Sequence, residues 1–212
     1  MARYGIVVDL NRCTGCMTCA LACKAENETR PGIWWNRVLE VESRQLDRIA
    51  YVRYACMHCD DPPCVSACTQ NAIYKRPDGI VAIDFDKCRA RADCAAACPY
   101  GVIQVNPDTT YFPEEKAPAH PPAKASNCSL CSHRIDRGEL PACVAGCPSR
   151  AMTFGDFDDP ESPVQEKLRH AAPLLEQEKT RPKVLYIMPE NMAQTIEDAV
   201  REQTATIIPA FS

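Results

Sequence analysis

The stretch Cys13-Thr-Gly-Cys16-Met-Thr-Cys19-Ala-Leu-Ala-Cys23 spaces three thiols three residues apart and adds a fourth four residues later. Three thiolates converging from one short loop suit one iron–sulfur cube. A fourth cysteine, past a turn of helix, points away and ligates a neighbouring cube. The stretch therefore predicts two clusters and another cysteine group close by in space. The chain has 15 cysteines in 212 residues, enough for three further groups. Cys56, Cys59, Cys64 and Cys68 form the second, and Cys88, Cys94 and Cys98 the third. Cys128, Cys131, Cys143 and Cys147 form the fourth.

Two other chemistries use cysteine in quantity. A disulfide framework is disfavoured by the odd number, the tight spacings and the absence of a secretory signal. The N-terminus, Met1-Ala-Arg-Tyr-Gly-Ile-Val-Val-Asp9, reads as a strand and is too short and too soon broken by Asp9 for a signal peptide. Zinc ribbons use two Cys-x-x-Cys pairs per metal and need neither a third cysteine three residues on nor a fourth beyond it. Zinc is kept as a minor alternative. Cluster ligands must stay reduced until the cluster is inserted, so folding in the cytoplasm is expected. The net charge of −4 gives no reason to expect nucleic acid, and no apolar run is long enough to span a bilayer.

The elements that position these thiols repeat within the chain. Ile6-Val-Val-Asp-Leu-Asn-Arg-Cys13 is echoed by Ala82-Ile-Asp-Phe-Asp-Lys-Cys88, each an alternating strand feeding a cluster loop. Superposing them pairs Cys13 with Cys88, Cys19 with Cys94 and Cys23 with Cys98, and sets Arg91 where Cys16 stands. The third group has lost its second ligand. Likewise Pro63-Cys64-Val-Ser-Ala-Cys68 is similar to Ala142-Cys143-Val-Ala-Gly-Cys147. Between Cys68 and Cys88 the pattern is strand, Pro77-Asp78-Gly79 turn, strand. That hairpin turns the chain back, so groups two and three should face each other, leaving one and four as partners. Tyr4–Asp9 would then pair with a strand near Met152–Phe157. A tandem pairing of one with two and three with four stays open.

Elsewhere, Trp34 and Trp35 suit a core or an interface, and Val38 to Leu46 is an amphipathic run. Residues 107–127 are a Pro/Ala-rich loop. Ser162-Pro-Val-Gln165 reads as a helix start, with a Ser cap, Pro at the first position and a capping-box Gln, and Val164, Leu168, Leu174 and Leu175 face inward. Lys183–Ile187 is a strand, Asn191–Glu202 a helix, and Thr206–Phe211 an apolar tail for docking on a partner or on its own chain.

The four groups, with Cys56-Met-His-Cys59-Asp-Asp-Pro-Pro-Cys64, Ala97-Cys98-Pro-Tyr-Gly101, Cys131-Ser-His-Arg-Ile-Asp-Arg-Gly138, Pro141-Ala-Cys143 and Gly155-Asp-Phe-Asp-Asp-Pro160, resemble the iron–sulfur subunits of the molybdopterin oxidoreductase superfamily, such as those of dimethyl sulfoxide, polysulfide and respiratory arsenate reductases. Gly32-Ile-Trp-Trp35 and the Asp-Asp-Pro segment look closest to the arsenate type. The resemblance implies an α+β fold of two ferredoxin-like, double-cluster modules, with short antiparallel sheets and short helices around the clusters. The first module would be discontinuous, residues 1–50 plus 120–190, and the second 51–106, followed by the 107–127 loop. Residues 191–212 would be a C-terminal helix and docking tail. Carried over residue by residue, the first cluster would use Cys13, Cys16, Cys19 and Cys147. The second would use Cys23, Cys128, Cys131 and Cys143, and the third Cys56, Cys59, Cys64 and Cys98. The fourth would have only Cys68, Cys88 and Cys94.

Three thiolates at that last site suit a [3Fe-4S] cluster beside three [4Fe-4S] clusters. A four-iron cluster with a non-cysteine ligand and an empty site are the alternatives. Arg91, as a nearby cation, would raise the potential there. His58 and His133 sit inside cluster loops and are read as loop packing in preference to hydrogen bonding to sulfur. Lys24, Arg12 and Lys87 flank the groups as either cluster-stabilising or solvated charges. Thr69 stands where Pro99 and Pro148 follow other fourth cysteines, while His120 and His170 carry no signal.

With no acid–base constellation, the expected role is non-catalytic. The chain would relay single electrons between a molybdenum or tungsten pterin subunit and a quinone-linked membrane subunit in anaerobic respiration. One alternative is a structural, redox-buffering small subunit of a soluble transhydroxylase- or hydroxylase-type heterodimer, and another is a free polyferredoxin. The expected location is a membrane-associated complex, leaning to the periplasmic face by co-export with a signal-bearing partner and otherwise cytoplasmic.

Overall fold

The computed structural model describes residues 2–106 and 123–207. The segment 107–122, with His120, and the tail from 208 lie outside the described residues. The chain is a small α+β structure of short sheets and mostly one-turn helices. Strand β1 (Tyr4–Asp9) is central to the largest sheet because Ile6, Val7 and Val8 bury both of its faces. It pairs antiparallel with β8 (Met152–Asp156), in the register Ile6 opposite Phe154, and parallel with β9 (Val184–Ile187). Gly5 faces Gly155 across that register. A Cβ on Gly5 would fall on the Phe157 ring and the Lys183 carbonyl, so the close approach of the two flanking strands requires a residue without one.

Chain order then gives helix α1 (Thr18–Glu26), the hairpin β2 (Asn36–Ser43) and β3 (Arg48–Ala55), and the one-turn helix α2 (Pro63–Ser66). The short hairpin β4 (Ile73–Lys75) and β5 (Val81–Ile83) follows, turning at Gly79 with φ +82. Helix α3 (Asp93–Ala96) precedes the two-residue strands β6 (Gln104–Val105) and β7 (Ala125–Ser126), which pair with each other. Helices α4 (Ser132–Ile135) and α5 (Ala142–Ala145) lead into β8. Helix α6 (Gln165–Leu168) and the long α7 (Ala193–Ile207) complete the chain.

The β2–β3 hairpin is the element the sequence reading missed. Its strands pair over eight positions, from Asn36 opposite Ala55 to Ser43 opposite Arg48, around a turn with Asp47 at φ 49. The hairpin tip is exposed at Leu46 and Ile49, while its base, Val52 to Ala55, is buried on both faces. Trp35 is buried at the entry to β2. Lys24 lies 4.8 Å from the Trp34 ring centroid, and its Nζ donates to the carbonyls of Thr29, Arg30 and Ile33. That lysine therefore staples the loop before β2; burial lowers its pKa, with Cys23 working the other way.

The expected helix start at Ser162 is corrected. Helix α6 begins at Gln165, three residues later, with no side-chain cap. Gln165 Nε2 donates back to the Phe157 and Asp159 carbonyls, and Ser162 Oγ is buried without a partner. The loop around Phe157 competes for the glutamine and wins it, so no capping box forms. Val164, Leu174 and Leu175 are buried as expected, and Leu168 is half-buried.

Lys183, fully buried, joins three segments. Its Nζ donates to Gly79 O at 2.6 Å and to Asp60 Oδ1 at 3.4 Å. Burial lowers its pKa, with Asp60 working the other way. Asp60 is held below the ordinary carboxylate range, because Lys183, Lys75 and Arg3 outweigh its own burial. Its contribution is thus present at neutral pH and is lost as pH falls through its depressed folded value. Lys183→Met should lower stability by roughly 2–3 kcal/mol, below the cost of a fully buried broken pair because Asp60 keeps two other cations. For a chain of this size that is a fall of roughly 5–10 °C in Tm. A thermal melt of the loaded variant that matched the parent would contradict this role.

Candidate metal centres

Each cysteine loop is shaped by residues with positive φ that lead into a short helix. In the first loop Gly15 (φ 69) and Met17 (φ 62) turn the chain so that α1 starts at Thr18. Gly15 also lies under the Tyr51 ring, which leaves no room for a side chain. The third loop has Ala92 at φ 63 before α3, the counterpart of Met17. The second and fourth groups repeat another design. His58 (φ 45) and Leu130 (φ 53) donate backbone N–H to Cys56 Sγ at 3.5 Å and Cys128 Sγ at 3.4 Å. Pro62 and Pro141, both in extended backbone, start α2 and α5, which carry Cys64 and Cys143. Ala72 and Ala151 donate N–H to Cys68 Sγ at 3.3 Å and Cys147 Sγ at 3.4 Å.

These loops meet in pairs, α1 packing on α5 and α2 on α3. Cys13, Cys16, Cys19 and Cys147 line one cavity, and Cys56, Cys59, Cys64 and Cys98 line another. Cys68, Cys88 and Cys94 line a third, with Arg91 and Thr69 on its rim. The three-cysteine cavity is comparable in size to the other two. The remaining thiols also lie together. Asn27 Nδ2 is 3.7 Å from both Cys23 Sγ and Cys131 Sγ, and Cys23 is raised first by burial and then by Cys128, Cys143 and Cys131.

Helices that each carry ligands for two places explain this arrangement. Cys19 and Cys23 lie one turn apart on α1, yet Cys19 faces the cavity with Cys147 while Cys23 faces Cys143. Each set lies near another: Cys19 interacts with Cys143, Cys128 with Cys56, and Cys64 with Cys94.

Hydrogen bonds with Thr18 lower the pKa of exposed Cys16, and, against burial, backbone N–H groups of Ile73 and Ala72 lower that of Cys68, but for several buried thiols the largest influence is burial. It pushes Cys64 up to about 12 and Cys59, Cys94 and Cys128 up to about 11. Thiols so placed become thiolates only when a cation replaces the proton, which is the linkage expected of metal ligands. Among the described residues no three His, Cys, Asp or Glu side chains are placed to hold a single metal ion. The sulfurs instead stand around gaps. Buried donors lie among them: Asn36 hydrogen-bonds Cys19, and Arg53 Nε and Nη1 have no partner among the described residues. Cysteine-only ligand sets and unmatched donors suit a bulky anionic group rich in sulfur, so the residues fit iron–sulfur clusters.

The other polar residues singled out from the sequence have ordinary roles. Arg91 is 60% exposed and its Nε pairs with Asp93 at 2.9 Å, so solvent and a countercharge screen the field it was expected to exert. Lys87 pairs with Asp84, and Arg12 donates to Ser149 O. His133 bonds Glu26 at 2.8 Å on the surface. His58 is fully buried, and its Nδ1 accepts the Val81 N–H at 3.1 Å. Burial, with Lys183 and Arg53 nearby, lowers its pKa to about 3, so the ring is neutral. Sequence reasoning missed Arg53, Asn27, Asn127 and Lys124. Asn127 Nδ2 donates to Cys56 Sγ at 3.4 Å, and Lys124 Nζ donates to Cys88 O at 2.7 Å. Arg53 had a readable signal. Arg48-Ile-Ala-Tyr-Val-Arg-Tyr-Ala55 is a β-rich run feeding Cys56, as the strand before Cys13 feeds its loop.

Comparison with known proteins agrees with this chemistry. The family described as a 4Fe-4S dicluster domain matches residues 48–157. A polysulfide reductase polypeptide of Wolinella succinogenes is 37% identical, over 88% of this chain and 94% of its own. The arsenate respiratory reductase iron–sulfur subunit of Shewanella sp. strain ANA-3 is 35% identical, over 87% and 96%. A tetrathionate reductase polypeptide of Salmonella typhimurium is 36% identical, over 87% and 72%. With its sulfur-lined sites and relatives of this kind, the chain belongs to the iron–sulfur, electron-transfer subunits of the molybdopterin oxidoreductase superfamily.

Proposed function

We propose that this chain is a wire of four clusters between a molybdenum or tungsten pterin subunit and a quinone-linked membrane subunit. The observation that supports the reading is that cysteines of different groups gather in sulfur-lined cavities and approach one another through Cys19 and Cys143, Cys128 and Cys56, and Cys64 and Cys94. Cys13, Cys16, Cys19 and Cys147 would hold the first [4Fe-4S] cluster. Cys23, Cys128, Cys131 and Cys143 would hold the second, and Cys56, Cys59, Cys64 and Cys98 the third. Cys68, Cys88 and Cys94 would hold a [3Fe-4S] cluster. When bound, the clusters supply one-electron oxidation and reduction. The residues do the rest. Cysteines fix the positions, and the backbone N–H groups of His58, Ala72, Leu130 and Ala151 stabilise charge on sulfur. Asn127 bonds Cys56 beside Cys128, at the joint between the second and third sets.

The chain then divides into two ferredoxin-like modules, one built from both ends (1–50 and 120–190) and one from 51–106, while β7, inside the expected 107–127 loop, pairs with β6. The partner on the first-cluster side is the pterin subunit. The complex sits at a membrane, on the periplasmic face if the partner carries the export signal. No described helix is long and apolar enough to cross a bilayer; in this reading the quinone-linked subunit supplies the membrane contact.

Anaerobically purified complex should contain about fifteen irons per chain, three sites of four and one of three. The oxidised state should show one three-iron EPR signal, and reductive titration should reveal three further centres. Iron near twelve without that signal would mean an empty fourth site. Centres that never exchange electrons with the pterin subunit would overturn the relay.

A further inference from the structure

We infer that the Arg53 guanidinium is a fixed positive charge shared by the first two sulfur sets, and that it raises the reduction potential of both. This rests on the cluster reading above and adds a residue to it. Arg53 lines the cavity of Cys13, Cys16, Cys19 and Cys147. Its Nη2 meanwhile reaches Cys143 Sγ of the second set at 3.9 Å. It thus stands where the two sets adjoin, next to the Cys19–Cys143 approach. Its side chain is fully buried, and Nε and Nη1 have no partner among the described residues. The backbone there is pinned, since Tyr186 Oη donates to Arg53 O at 2.9 Å and β3 is paired on that stretch with β2.

A buried arginine without a carboxylate is costly, because guanidinium keeps its charge at any working pH. The countercharge available to it is the thiolate sulfur of the two sets. Reduction adds an electron to a group that is already anionic. A cation held close by in a medium of low dielectric favours that state and is little screened by salt. Arg91 offers the contrast, exposed and paired with Asp93, at the far site.

The test is an EPR-monitored redox titration of the loaded complex carrying R53Q or R53K. With R53Q, at fixed ambient potential, the reduced-to-oxidised ratio of the first two centres should fall on the order of tenfold, about 59 mV for a one-electron couple. The centre at Cys68, Cys88 and Cys94 should stay put as an internal control. R53K keeps the charge and should restore most of the shift. If all four centres move together, or none does, the inference is overturned. Should R53Q fail to assemble, R53K alone decides. Parent-like potentials support a charge role, and loss of both centres in R53K as well shows that the guanidinium's shape matters and overturns it. Parent protein without any reducible centre would instead sink the cluster reading itself.

Discussion

Arg91→Cys is expected to abolish the EPR signal of the oxidised protein and to raise its iron content by about one atom per chain. The loop is already built for a fourth thiolate. Residues 90 and 92 have φ 54 and 63, close to the 69 and 62 of Gly15 and Met17 on either side of Cys16. Arg91 lines the cavity of Cys68, Cys88 and Cys94, and that cavity is as roomy as the four-cysteine ones. A cysteine there gives a fourth iron its protein ligand, and a four-iron ferredoxin-type cluster is diamagnetic when oxidised. Little is lost in exchange, because the Arg91–Asp93 pair is solvent-exposed and worth less than about 1 kcal/mol. R91S, with no strong iron ligand, should retain the parent signal and iron content. Persistence of the signal in Arg91→Cys at unchanged iron would show that residue 91 does not govern what the site holds.

Stripping the clusters should abolish cooperative unfolding. The sheets have two or three strands, and most helices are a single turn, too short to hold without outside support. Eleven of the 15 cysteines are buried, so the centre of the molecule is largely ligand. Arg53 and Lys183 would sit in that centre with their countercharge or their neighbours displaced. Structural zinc in zinc-finger peptides contributes about 10–16 kcal/mol, and metal sites that form only in the folded state lend their binding energy to folding, against a total stability of about 5–15 kcal/mol for an ordinary domain. The apoprotein should therefore lose near-UV circular dichroism and bind hydrophobic dyes, with no sharp melt. An apoprotein that still melts cooperatively within a few degrees of the loaded form would refute the claim that clusters hold the fold.

Much of how the cysteines group was legible because cysteine spacing is a local property. Cys13 to Cys23 announces one loop and one helix turn, and the Pro77-Asp78-Gly79 turn announces β4 and β5, which do pair. The pairing of β1 with β8 followed from the same reasoning. What stayed hidden depends on contacts distant in sequence. Lys183 meets Asp60 across 123 positions, and Arg53 meets Cys143 across 90. The run before Cys56 signals a strand but not that Arg53 turns inward, because a lone Arg or Lys in a strand normally reads as a solvated face. Gln165 shows a different failure: its capping pattern was sound, but carbonyls at Phe157 and Asp159 outbid the helix end. Arg91 was conspicuous by position, and only its exposure reveals that its charge is spent on Asp93.

The helices that carry ligands for two places have a consequence for wear. If oxygen destroys the metal behind exposed Cys16, Cys19 loses its anchor, and α1 is then free to swing Cys23 out of the adjoining site. Injury should accordingly spread in couples, and a half-repaired wire, with one intact member beside a ruined one, should be short-lived.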